Sequence, residues 1–293
     1  MTHKAGFINI IGNPNVGKST LMNALIGEKL SIITPKAQTT RHRIMGIVSA
    51  DDYQLVFSDT PGMLEPHYKL HESMMKFVDS AFQDADLFLL VTEVGEKFTN
   101  EQVLEKLNKC EIPTCVLINK IDLSDQDKVE KLIAEWNERL PKAEVMPVSA
   151  LHKFNIEKVF DWILASLPEN PPFFPKEELT DRPEKFFVAE MIREKIFLNY
   201  SQEIPYCTEV EIDTFKDEET IVKIRSIIYV SRDTQKGILI GNKGEALKKV
   251  GTQARKDIEE FLGKKVFLEL FVKVSKDWRN NENQLKKFGY IFK

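Results

Sequence analysis

Residues 12–19, Gly12-Asn13-Pro14-Asn15-Val16-Gly17-Lys18-Ser19, set two glycines, a lysine and a hydroxyl in the order G-x-x-x-x-G-K-S, with Thr20 next. That spacing suits polyphosphate chemistry. The glycines let the chain curl until successive N–H groups point inward at a phosphate, and a helix opening at the same place adds its positive dipole end. Lys18 is placed to bridge β- and γ-phosphate oxygens, and the Ser19 hydroxyl to take one position on Mg²⁺. An apolar run at 7–11 before the loop and a helical pattern after it supply the expected flanks.

A phosphate loop does not by itself separate ATP from GTP. Asn119-Lys120-Ile121-Asp122 does, because it closes the apolar run 114–118. A carboxylate there accepts both the N1–H and the exocyclic amine of guanine, whereas adenine has no donor at N1 and would leave buried polar groups unpaired. Asn119 is expected to tie this loop to the phosphate loop, the Lys120 stem to cover the base, and the Ala150 N–H of Ser149-Ala150 to meet guanine O6. Asp59-Thr60-Pro61-Gly62 supplies the metal side: Asp59 holding Mg²⁺ through water, the Gly62 N–H on the γ-phosphate. A threonine from 31–48 should reach Mg²⁺ and the γ-phosphate only in the triphosphate state. Thr40 is the expected residue and Thr39 the alternative. Lys18, Thr40 and Gly62 are thus the candidate catalytic groups. Met63 follows Gly62 where the best-known GTPases carry the glutamine that orients water, and a thioether cannot do that work. Slow intrinsic hydrolysis is the expectation.

A second constellation lies at 237–245. Gly241-Asn242-Lys243-Gly244 is preceded by an apolar helical turn and followed by an amphipathic helix over 245–262. In that order a G-x-x-G loop brings bare backbone against a few unpaired nucleotides, as in a KH domain. Lys236, Lys243, Lys248, Lys249 and Arg255 form the expected positive rim, although Lys248 and Lys249 also read as the wet face of the helix. Phe271, Trp278 and Tyr290 are expected to pack, with base stacking as the alternative. His42, His67 and His71 read as surface residues.

These residues need two scaffolds, and the 293 residues are long enough for both. Five prolines between 168 and 183 exclude helix and central strand there. The expected division is a nucleotide domain over 1–168, a linker over 169–183 and an RNA-binding domain over 184–293. In the first, apolar runs at 7–11, 54–58, 86–91, 114–118 and 145–148 alternate with amphipathic stretches, which argues for an α/β domain with a mainly parallel sheet and helices on both faces. In the second, segments 208–213 and 220–230 alternate with period two, as half-solvated antiparallel strands do. The overall charge of −4 hides an asymmetry: residues 221–293 carry 17 Lys+Arg against 8 Asp+Glu, which suits a polyanionic partner for that end or, equally, a solvated lysine-rich surface. Three scattered cysteines and no long apolar stretch suggest a reducing, cytoplasmic setting.

Together G-N-P-N-V-G-K-S, Q-T-T-R, D-T-P-G, N-K-I-D and S-A resemble the translation-factor-related GTPases. With the C-terminal KH pattern (type II, the prokaryotic form) the resemblance extends over the whole chain to the Era family. In that family the position after D-T-P-G is commonly hydrophobic, so Met63 does not mark decay. The resemblance implies GTP, GDP and Mg²⁺ as ligands. It also implies a K⁺ site partly held by Asn15, with loop stabilisation as the equal alternative. As partners it implies the 3′ end of 16S rRNA and the small ribosomal subunit during assembly, for a monomer with peripheral inner-membrane association as a family expectation. Two other readings compete: an RNA-binding assembly platform with an inert nucleotide domain, and a GTPase of tRNA modification or trafficking.

Overall fold

The computed structural model describes residues 3–290, which divide into two compact units. The first comprises the chain up to Ser31, Thr40–Glu65 and Met74–Asp181; the second comprises Ile32–Thr39, Pro66–Ser73 and the chain from Arg182 onward.

The elements up to Ser166 are β1 (Lys4–Gly12), α1 (Lys18–Ile26), β2 (Ile44–Ser49), β3 (Tyr53–Asp59), α2 (Lys69–Gln83), β4 (Leu87–Glu93), α3 (Glu101–Lys109), β5 (Thr114–Asn119), α4 (Gln126–Arg139), β6 (Glu144–Pro147) and α5 (Ile156–Ser166). The sheet runs β2-β3-β1-β4-β5-β6. Every pair in it is parallel except β2–β3. Burial explains the continuous apolar runs: Ile8, Ile10, Leu89, Leu90, Val116 and Leu117 have no exposed surface. Strand β2 was not expected from the sequence. Its six residues carry Gly46, and the Cβ of any larger residue there would meet Ile26 Cδ1 at 2.1 Å.

Strand β1 sits between β3 and β4, the point where the strand order reverses, and a crevice opens beyond the C-terminal ends of such strands. Residues 12–19 follow β1, Asp59 ends β3, Asn119 ends β5 and Ser149-Ala150 follow β6. All four motifs therefore reach one edge. The proline-rich segment belongs to this unit: the Ile47 N–H donates to the Leu179 carbonyl at 2.8 Å and the Thr180 hydroxyl to the Met45 carbonyl at 2.7 Å. It covers the outer edge of β2, a strand edge that would otherwise be open.

The second unit contains α6 (Glu184–Asn199), α7 (Ile204–Cys207), β7 (Glu209–Asp217), β8 (Ile221–Val230), α8 (Asp233–Ile240), α9 (Glu245–Leu262), β9 (Lys265–Val274) and α10 (Glu282–Lys287). Strand β7 is antiparallel to β8, and β9 is parallel to it. Val222, Ile224 and Ile228 of β8 pack against Val250, Ala254 and Ile258 of α9. Phe261, three residues beyond Ile258, is 37% exposed and meets Phe187 at the helix end. Trp278 and Tyr290 are buried, hydrogen-bonded to the Cys207 carbonyl at 2.9 Å and to Glu209 at 2.7 Å. No helix among the described residues is long and apolar enough to cross a membrane.

Candidate functional site

The phosphate loop is braced before any ligand arrives. Gly17 caps α1 with φ +94°, and a Cβ there would lie 2.3 Å from Asn119 Nδ2, so the position excludes larger residues twice over. Asn119 Nδ2 donates to the Val16 carbonyl at 2.8 Å, and its Oδ1 accepts from the Ala150 N–H at 3.0 Å. One amide thus joins three loops. The Ala150 N–H is engaged by Asn119, so the expected bond to guanine O6 has to compete with this brace.

Lys18 is buried, and its ammonium donates to the Gly12 and Asn13 carbonyls at 3.0 and 2.7 Å. Burial pulls its pKa down to about 8, against the opposing pull of Asp59 and Glu96. Ser19 Oγ donates to Asp59 Oδ2 at 2.6 Å and lies 2.9 Å from Thr40 Oγ1, which is itself 3.3 Å from the same carboxylate oxygen. Asp59 Oδ1 is buried without a hydrogen-bond partner. Burial pushes the Asp59 pKa up; hydrogen bonding from Ser19, the charge of Lys18, and the Ser31 and Thr40 hydroxyls oppose this. Three hard oxygens with one orphaned carboxylate atom fit Mg²⁺, which prefers such donors. Thr40 carries its hydroxyl into this cluster. Thr39 turns away, its hydroxyl donating to the Lys36 carbonyl and meeting Thr34.

Asp122 Oδ1 accepts from the Ser149 hydroxyl at 2.6 Å, and its Oδ2 faces His152 at 3.8 Å. Lys120 pairs with Glu93 and donates to the Asn15 carbonyl at 2.7 Å. Asn15 itself is exposed, in the left-handed region at φ +67°. The Thr60 hydroxyl caps the Ile10 carbonyl at 2.7 Å, and Pro61 is buried beside it. The Gly62 backbone lies against Pro14, a Cβ there meeting Pro14 Cα at 2.6 Å.

Met63 packs into the hydrophobic core with Phe88, Val103 and Leu104 rather than facing the phosphate loop. His42 and His71 are buried, contrary to the surface reading: His42 lies edge-on to Phe77 and His71 against Tyr68. One feature of the first unit escaped the sequence altogether. Arg43 is buried and donates to Ser58, Asn9 and Asp84, tying β2 to β3, β1 and the end of α2. Its partners are 15 to 41 residues away, and no local pattern announces such a network.

In the second unit the loop 241–244 joins α8 to α9. Gly244 caps α9 at φ +82°, and a Cβ on it would meet nothing within 4 Å. Lys243 is also left-handed, at φ +48°, and exposed. A groove runs from this loop, walled by Leu247, Lys248, Gly251 and Arg255 of α9 and, opposite, by Val266, Phe267, Leu268 and Leu270 of β9. Asn242 is exposed, as is Lys249, and neither Lys249 nor Lys236 lines the groove. That β9 forms the second wall was not foreseen, because pairing between distant strands decides it.

The family described as "50S ribosome-binding GTPase" matches residues 7–120, and the family described as "KH domain" matches residues 203–279. A crystal structure of Era in complex with MgGDPNP and nucleotides 1506–1542 of 16S ribosomal RNA is similar at 38% identity, over 99% of this chain and 100% of that one, with a TM-score of 0.94. A tyrosine-to-alanine variant of Aquifex aeolicus Era bound to GDP and aluminium fluoride is similar with the same identity, coverage and TM-score.

Proposed function

The chain belongs to the Era family of GTPases, and on that premise we propose that it is a slow GTP-hydrolysing switch whose KH domain binds the 3′ end of 16S rRNA during maturation of the small ribosomal subunit. The observation that carries the nucleotide half is the convergence of Ser19, Thr40 and Asp59, with Asp59 Oδ1 buried and unsatisfied, beside a braced phosphate loop. Residues 12–20 hold the phosphates, Asp122 reads the guanine edge, and Lys18 and the Gly62 N–H meet charge on the γ-phosphate. Ser19, Thr40 and Asp59 would hold Mg²⁺, which supplies charge neutralisation at the β- and γ-oxygens. Asn119, Lys120, Ser149 and Ala150 keep the base loops closed.

Met63 supplies no group to position water, so unassisted turnover on the order of 10⁻⁴ to 10⁻³ per second is expected, with a partner adding the rest. The Asn15 side chain contributes to a K⁺ site; exchanging K⁺ for Na⁺ without change in rate removes that assignment. The protein acts as a cytoplasmic monomer, and peripheral inner-membrane association stands on the family alone.

Coupling has a physical route in the second unit. The buried Arg193 of α6, paired with Glu190, donates to the Thr39 carbonyl at 2.5 Å, one residue before Thr40. Nucleotide-dependent ordering of Thr40 therefore acts on a segment already fastened to α6. RNA affinity measured with GTP analogue, with GDP and without nucleotide tests this: equal values mean zero coupling energy. Absence of phosphate release even with RNA and small subunits present would favour the inert-platform reading.

A further inference from the structure

Helix α9 packs on one face of the KH sheet, with the groove between it and the edge strand β9, and the opposite face carries its own features. Along β8, Val222 and Ile224 point into the core while Lys223 and Arg225 are each half exposed on the other side. Strand register places Lys216, Lys223 and Phe267 in one row across this outer face, Thr214, Arg225 and Glu269 in the next, and Ile227 beside Phe271. Phe267 and Phe271 are 51% and 49% exposed, about 13 Å apart along β9 at the usual rise per residue. The Arg225 guanidinium lies 5.5 Å from the Phe271 ring centre. At the far end Tyr229 is covered by Phe288, next to α10. The end with the two phenylalanines stays open.

Two observations select a partner. Lys216, Lys223, Arg225 and Lys265 stand on this open face and outnumber its carboxylates, Glu269 and Glu218, while Glu211, in the row of Ile227 and Phe271, is paired with Lys287. The pairs Lys223–Glu218 and Arg225–Glu269 are exposed, at 2.8 and 3.5 Å, and such pairs hold their cations weakly. Second, Phe267 borders both the groove and a depression on the outer face lined by Thr214, Lys216, Lys223 and Arg225. The two surfaces meet at the β9 edge.

Resting on the RNA reading above, we propose that single-stranded RNA leaving the groove crosses the β9 edge and continues over the outer face, its bases stacking on Phe267 and Phe271 and its phosphates meeting Lys216, Lys223 and Arg225. Aromatic rings beside cations are the usual platform for unpaired bases, which all offer a π face. This footprint extends beyond the few nucleotides that a G-x-x-G loop clamps.

The test uses the full-length protein and fluorescently labelled RNAs of five and twelve nucleotides copied from the 3′ end of 16S rRNA. The variant Phe271→Ala with Arg225→Gln should weaken the twelve-nucleotide RNA by roughly five- to fiftyfold and leave the five-nucleotide RNA unchanged. Phe271→Tyr should restore most of the loss, and the salt dependence of the long RNA should flatten with Arg225 replaced. Both positions are exposed, so thermal stability should stay at the wild-type value and report folding. Unchanged affinity for the long RNA overturns the proposal, as does an equal loss for both lengths. Unchanged RNA affinity with lost capture of small subunits also overturns it, in favour of a protein contact. The groove reading fails separately, if Gly244→Asp leaves both RNAs bound as tightly as wild type.

Discussion

The two glycine loops of this protein both open a helix, with Gly17 and Gly244 as left-handed caps, yet they are built for opposite tasks. Around Gly17 the space is already filled by Asn119, Lys18 is buried, and three loops share one amide. Around Gly244 there is open space, and the neighbouring Lys243 and Asn242 are exposed. A small ligand of fixed shape rewards preorganisation, because every donor is aimed before binding. A flexible polymer rewards access, since backbone must approach backbone and sequence is read by stacking and base edges. Substitutions in the first loop should therefore act steeply, and those in the second by degrees.

The largest expected effect is at Lys18. Lys18→Ala removes a charge-assisted contact to phosphate, and GDP affinity should fall roughly a hundredfold or more by calorimetry. A loss below tenfold would mean that the braced loop does not depend on its lysine. Next comes pH. Lys18 sits near 8 in the free protein, and a bound phosphate raises it, so binding takes up a proton above that point. Affinity should be full below about pH 8 and fall as pH rises past it, becoming about tenfold weaker at pH 9 than at pH 7. A flat profile would contradict the assigned burial of the ammonium.

Gly244→Asp places a carboxylate where RNA phosphate should lie, and RNA affinity should drop about tenfold at moderate salt, with GDP affinity unchanged. A simultaneous loss of nucleotide binding would erase the contrast between the two loops. The smallest effect is expected at Met63. Met63→Gln buries an amide in the core and should cost about 1–2 kcal/mol of stability. It should change turnover less than threefold, because that side chain faces Phe88 and Leu104 instead of the phosphates. A large gain in turnover would show that the segment swings the residue toward water.

Motifs that are contiguous in sequence were legible because their geometry is local: G-x-x-x-x-G-K-S curls and opens α1 by itself, and 245–262 repeats its apolar face at helical spacing. The full-length α9 and the two-sheet plan followed from the same periodicities. What stayed hidden depends on distant pairing. Strand β2 needs β3 beside it, Arg43 needs Asn9, Ser58 and Asp84, and β9 becomes a groove wall only once it lies against α9. His42 and His71 looked like surface residues because nothing local says that Phe77 and Tyr68 will cover them. Thr39 and Thr40 were separable only through partners 21 and 19 residues from Thr40.

Guanine recognition by Asp122 underlies the whole account, and exchanging the base measures it most directly. Binding of GTP, XTP and ATP should be titrated against the wild type and Asp122→Asn. The wild type should take GTP alone, while the variant should lose GTP by roughly a hundredfold and gain XTP, whose 2-carbonyl accepts from the new amide. Undiminished GTP binding by the variant, or ATP bound as tightly as GTP by the wild type, would contradict the assignment.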